Sequence, residues 1–203
     1  MIFILFIKGM LIGLIFGVPA GAIGALTIQR TVERGFTAGI ITGIGSSAAD
    51  LIYGCAGVFG ITIIPDFITK YQFYIQVPGG FLIIILGISI LKNKQKPEID
   101  NKVKGNLAFC FLSSFGAAIM NPATILSFII AFTTFGINGN LSIQKSISLL
   151  AGILAGTLCW WIILAGAVAI FRNRITNKIY KVMNIVLGSF MLVFGVAMII
   201  KSN

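Results

Sequence analysis

The run ILFIKGMLIGLIFGVPAGAIGALTI, residues 4–28, is long enough to cross a bilayer and interrupted near its middle. As a helix it would reach about 37 Å, more than the roughly 30 Å of hydrocarbon it has to span. Pro19 stands halfway along, within Gly17-Val18-Pro19-Ala20-Gly21-Ala22-Ile23-Gly24. Proline removes one backbone hydrogen bond and collides with the carbonyl four residues earlier, while the flanking glycines offer no resistance to unwinding. The stretch therefore predicts a spanning helix broken or kinked at its centre. In hydrocarbon, such a break is tolerated only where the freed backbone groups meet protein or line a polar cavity. The run lacks a basic segment ahead of its apolar core and exceeds the usual length of such a core, so it reads as a membrane span and not as a signal peptide.

Five further apolar runs follow, at residues 37–64, 74–91, 107–135, 147–171 and 182–200. They are separated by residues 29–36, a Pro65-Asp66 turn, the polar stretch 92–106, a Gly-Asn loop at 136–140 and residues 172–181. Of 203 residues, 58% are hydrophobic and none is histidine, leaving too little polar surface for a water-soluble domain of this size. The expected fold class is all-α integral membrane, a single membrane domain over residues 1–203 with six transmembrane helices.

The net charge of +10 does not point to nucleic acid, because the cations sit in short clusters between apolar runs. The segments after runs one, three and five hold eleven Lys and Arg, whereas the opposite side has Lys8, Lys70, Lys145 and Lys201. Positive charge collects in cytoplasmic loops, so residues 29–36, 92–106 and 172–181 are expected inside and both termini outside. Cys55, Cys110 and Cys159 are odd in number, far apart and all within apolar runs, which suits packing and not a disulfide framework.

The two halves of the chain repeat a pattern. Runs three and six carry Gly80/Gly87 and Gly188/Gly195 with the same spacing, and runs one and four each hold a central proline, Pro19 and Pro122. Runs two and five open with small-residue pairs, Gly39/Gly43 and Gly152/Gly156. Three spans per half is an odd number, so the second half must enter the membrane inverted relative to the first. The expected arrangement is two inverted three-helix repeats, about 1–92 and 107–203, joined by a cytoplasmic loop at 93–106.

Asn121-Pro122 makes the second break, with an amide able to donate and accept. Inverted symmetry brings the two breaks together near the midplane, where exposed helix ends can meet the charged ends of a substrate. Asp50 is the one acid inside any run. A charge there costs about 2.5–3.5 kcal/mol at a helix centre, so Asp50 is expected to face the protein interior. Gly39, Gly43, Ser46, Ser47, Gly54 and Gly57 lie at three- and four-residue steps around it, a small-residue face that a neighbouring helix or a cavity can approach closely. An interior acid with no basic residue at its depth suits exchange of a proton or capture of a cationic group. Gly43, Ser46, Ser47, Gly54 and Trp160 are the candidate cavity lining, and a Trp160 or Trp161 ring facing it would suit an ammonium group.

These residues in this order resemble the LysE/RhtB amino-acid exporter family: Pro19-Ala20-Gly21, then Arg34-Gly35, then Gly43 to Asp50 in a Gly-x6-Asp run, then Asn121-Pro122, with the Gly-x6-Gly spacing in runs three and six. The resemblance covers nearly the whole chain. It implies export of amino acids or related small metabolites from the bacterial cytoplasm, driven by an ion gradient, by alternating access, with motif positions falling on Pro19, Gly21, Asp50, Asn121 and Pro122. It implies a small-molecule partner, a proton, the lipid bilayer and no cofactor. One departure is Ala22, where the family usually has a second proline, so the local break is expected to be milder. Two other readings compete. A metal or inorganic-ion exporter would have to rely on the three scattered cysteines, a poor ligand set. A membrane thiol-disulfide carrier would need two cysteines beside the breaks, and none lies there.

Overall fold

The computed structural model describes residues 2–16, 21–59, 70–93, 106–137 and 141–201, and contains no strand among them. The described residues form eight α-helices: α1 (Ile2–Phe16), α2 (Ala22–Arg34), α3 (Phe36–Val58), α4 (Gln72–Lys92), α5 (Leu107–Ile119), α6 (Pro122–Thr134), α7 (Ile143–Phe171) and α8 (Asn177–Ile200), with a 3-10 turn at Arg172–Arg174. Of these, α4, α7 and α8 are by themselves long and apolar enough to cross a membrane, and α1 and α5 are shorter apolar helices. Large apolar side chains such as Phe3, Ile85, Leu112, Ile170, Val193 and Ile200 stand more than half exposed on the outer faces. In water that surface would drive aggregation; against lipid tails it is the expected solvent contact, and the protein is a multi-pass membrane protein.

Both runs that carry a central proline are divided into two helices. In the first, α1 ends at Phe16 and α2 starts at Ala22, after a Gly21 whose φ of 148° disfavours any residue with a side chain. Pro19 itself lies outside the described residues. In the second, α5 closes at Ile119 and the next turn tightens, with the Asn121 amide donating to the Ala118 carbonyl at 3.1 Å. Pro122 then opens α6 as its first residue, where a missing N–H costs nothing. Gly136, at φ 64°, ends α6: its amide reaches the Thr133 carbonyl while the Ile137 amide reaches that of Phe132, a Schellman closure.

Glycines set the closest helix contacts. In the pairing of α1 with α7, a Cβ at Gly9 or Gly13 would fall on the carbonyls of Leu149 or Ile153, and one at Gly152 or Gly156 on those of Phe6 or Met10. In α4 and α8 the contacts are reciprocal and antiparallel. A Cβ at Gly80 would lie 2.8 Å from the Gly195 carbonyl, and one at Gly195 would lie 2.8 Å from that of Gly80. Gly87 and Gly188 repeat the relation at 3.1 and 3.0 Å. Small residues that let backbones meet are the usual means of holding helices together where lipid removes the hydrophobic driving force. At the centre lies α3, touching α2, α5, α6 and α7.

Two segments expected as loops are helical. Residues 29–34 continue α2, with Gln29, Arg30, Thr31 and Val32 buried, and the chain turns only at Gly35, φ 89°. The polar residues that suggested a loop are solvated by protein instead of water. Likewise α8 begins at Asn177, where the Thr176 hydroxyl accepts from the Ile179 amide at 3.4 Å. The Pro65-Asp66 turn and residues 94–105 lie outside the described residues.

Candidate functional site

The Gly35 turn sends α3 back along α2, and the two helices stay in contact: a Cβ at Gly39 would strike the Thr31 hydroxyl. From Gly35 to Ala22 along α2 is about 20 Å, and from Gly35 to Asp50 along α3 about 22 Å. Asp50 therefore stands level with the start of α2, beside the first break. It is 5% exposed, and no hydrogen bond or ion pair joins it to another described residue.

Three residues further along α3, the Tyr53 hydroxyl donates to the Ile119 carbonyl at the end of α5. That carbonyl is one of those freed when the helix stops before Pro122. Tyr53 thus ties the second break to the helix that carries Asp50. The sequence held a signal for it: Tyr53 is one turn from Asp50, and a break in an apolar run requires a donor for its loose carbonyls. Asn121 sits in the turn between α5 and α6, its own carbonyl accepting from the Thr124 amide at 3.1 Å.

The other candidates are distributed around this point. Gly43 is filled by Trp161, whose ring and Cβ occupy the space a side chain would need. Gly54 is approached by Leu150, 3.1 Å from the position of an added Cβ. Ser46 and Ser47 are buried on α3, and Trp160 packs half-buried against the apolar cluster of Ala22, Leu26 and Ala49. Among the described residues of α2, α3 and α7, Ser47 Oγ, Thr27 Oγ1 and Nε1 of both tryptophans are buried without a hydrogen-bond partner. Each such group costs about 1–3 kcal/mol. Together with Asp50 they offer donors and acceptors on α2, α3 and α7 to a small polar solute.

A second polar layer closes the end of the bundle where α2 meets α3. The Arg30 guanidinium donates to Thr42 Oγ1 at 3.1 Å, the Cys110 carbonyl at 2.9 Å and Ser113 Oγ at 2.7 Å, joining α2 to α3 and α5. Arg172 donates to the Val32 carbonyl at 2.8 Å and the Glu33 carbonyl at 3.2 Å, capping α2. The Glu33 carboxylate accepts from Asn93 Nδ2 at 2.8 Å and from the Tyr180 hydroxyl, and Asn184 Nδ2 donates to the Asn93 carbonyl at 2.8 Å. The charges of Arg30 and Arg172, counted in the sequence as loop cations, are thus helix-joining groups.

Residues 14–202 match the LysE type translocator family. The chain is 28% identical over 201 residues to the "Putative amino acid efflux protein YcgF" of Bacillus subtilis (strain 168), covering 94% of this chain and 93% of that protein. It is 22% identical over 178 residues to the "Uncharacterized membrane protein YahN" of Escherichia coli (strain K12), covering 86% and 79% respectively. No solved structure matches.

Proposed function

Because the chain belongs to the LysE type translocator family, we propose that it is a secondary transporter that exports amino acids or related small metabolites from the bacterial cytoplasm, with Asp50 taking up the proton or the substrate amine. The observation that carries this reading is the tie between Tyr53 and the Ile119 carbonyl, which joins the helix bearing Asp50 to the broken span at Pro122. A substrate or proton arriving at Asp50 then acts on a helix end able to move. Helix N-termini favour the anionic group of a zwitterion, and α2 and α6 both begin at breaks. The amine takes Asp50 and the unpaired Ser47 hydroxyl, one turn away, serves the remainder, while the unpaired groups of Thr27 and the tryptophans lie along the path.

Alternating access follows if residues 1–92 and 107–203 are inverted repeats. The reciprocal Gly80–Gly195 and Gly87–Gly188 contacts support that arrangement, since exchanging the two halves turns each contact into the other. The protein sits in the cytoplasmic membrane with residues 29–36, 92–106 and 172–181 inside and both termini outside. A cysteine placed at Lys96 should be inert to an impermeant thiol reagent in intact cells; labelling would reverse the topology.

The principal test is efflux from proteoliposomes against a panel of labelled amino acids, with and without a pH gradient. Asp50→Asn should insert and fold at wild-type level yet lose at least tenfold in gradient-driven efflux. Undiminished efflux by that variant removes Asp50 from the mechanism.

A further inference from the structure

The buried guanidinium of Arg30 has no role in the mechanism above. Arg30 is 3% exposed, stays charged at any ordinary pH, and lies 5.7 Å from the centre of the Phe109 ring. No carboxylate among the described residues lies within ion-pair reach of it. The nearest acid along the helix, Glu33, spends its carboxylate on Asn93 and Tyr180. Hydrogen-bonding a buried charge to neutral groups alone is costly, and Glu33 attracts this one only from beyond ion-pair distance.

We propose that Arg30 is a second binding position, specific for a carboxylate, which receives the outgoing cargo on the side of the Gly35 turn before it reaches Asp50. The cargo's identity as an amino acid rests on the export reading; the anion site does not.

The neighbours of Arg30 are arranged so that it can leave them. Thr42 Oγ1 also donates to the Ala38 carbonyl at 2.8 Å, and the Ser113 hydroxyl also donates to the Phe109 carbonyl. The Cys110 carbonyl also accepts from Ser114 Oγ at 2.9 Å. When the guanidinium turns away, each of the three acceptors keeps a hydrogen bond, so none is left bare. Arg172 differs: it holds the terminal carbonyls of α2, which need a cap. A carboxylate accepts two parallel N–H bonds from a guanidinium with both partners ionised, whereas each acceptor that Arg30 now holds is neutral. A carboxylate can therefore take Arg30 from Thr42, Cys110 and Ser113, loosening α2 from α3 and α5.

The position is separate from that of Asp50. Thr42, which Arg30 touches, is eight residues before Asp50 on α3, about 12 Å along the helix. That exceeds the separation of the two charges in an α-amino acid, so Arg30 and Asp50 act in succession.

The test uses the full chain in lipid nanodiscs, with acetate, its neutral isostere acetamide, inorganic phosphate and chloride at matched ionic strength. Acetate should raise the melting temperature above that in acetamide and chloride, and Arg30→Gln should abolish the difference. Ser113→Ala, which keeps the charge and removes one competing acceptor, should strengthen acetate binding severalfold, and serves if Arg30→Gln fails to fold. An equal acetate shift in wild type, Arg30→Gln and Ser113→Ala overturns the proposal, as does an Arg30-dependent shift with phosphate and none with acetate. In proteoliposomes, wild type should prefer L-amino acids to their amides by at least tenfold, and Arg30→Gln should reduce that to within twofold; an unchanged ratio also overturns it. Arg30-dependent acetate binding without any amino-acid transport would instead leave the anion site standing and remove the export reading.

Discussion

α2 and α6 are both the second half of a broken span, and each is thirteen residues long. They are nevertheless built for different surroundings. α2 buries Thr27, Gln29, Arg30 and Thr31 and touches α3, α5, α7 and α8. α6 buries Phe128, Ala131 and Phe132 on one face and turns Leu126, Ile129 and Ile130 outward. A shared backbone pattern therefore does not distribute the polar machinery evenly. One half-helix carries hydrogen-bonding groups into the interior, and the other supplies apolar support and a surface for lipid.

The contrast can be tested by substitutions that keep shape and change polarity. Tyr53→Phe removes the donor that joins α3 to the end of α5, leaving the Ile119 carbonyl bare at a cost of about 1–3 kcal/mol. Efflux should fall at least tenfold and the thermal midpoint should drop; wild-type efflux would mean that the second break acts without this tie. Thr27→Val on α2 should have a smaller and opposite effect on stability. It deletes a buried hydroxyl that has no partner, so the melting temperature should rise by an amount equivalent to about 1 kcal/mol, while efflux falls severalfold. A variant of unchanged activity would take Thr27 out of the polar path. Leu126→Ala on the outward face of α6 should change stability by less than about 0.5 kcal/mol and leave transport unaltered. A large loss there would place the outer face of α6 against protein.

Much of this was legible in the sequence. The length of the apolar runs locates the helices, and a proline beside small residues marks where two of them divide. Even that pattern is not sufficient: Pro78, followed by Gly79 and Gly80, lies inside α4 and the helix continues through it. Asp50 stood out because an acid in an apolar run has so few tolerable surroundings. The continuation of α2 through Arg34 was not legible by hydropathy, since a polar face turned inward has the same average composition as a loop. Its period was the available signal: Thr27, Arg30, Thr31 and Arg34 recur at three- and four-residue steps on one helix face. The partners of Arg30 on α5 are eighty residues or more away in the chain, and those of Arg172 about 140, so no local pattern names them. The glycines of α1 were likewise silent until α7 was seen to lie against them.

The seat of Trp161 against Gly43 has a practical consequence. Trp160 and Trp161 are the two tryptophans of the chain, adjacent on α7, and the Trp161 ring rests on α3 two turns before Asp50. The emission of Trp161 thus originates where α3 and α7 touch, and that of Trp160 one residue away on α7. Any movement of one helix against the other, or arrival of water between them, shifts the wavelength and quenching of unlabelled protein, so a native fluorophore reports on conformational exchange without a dye or an added residue.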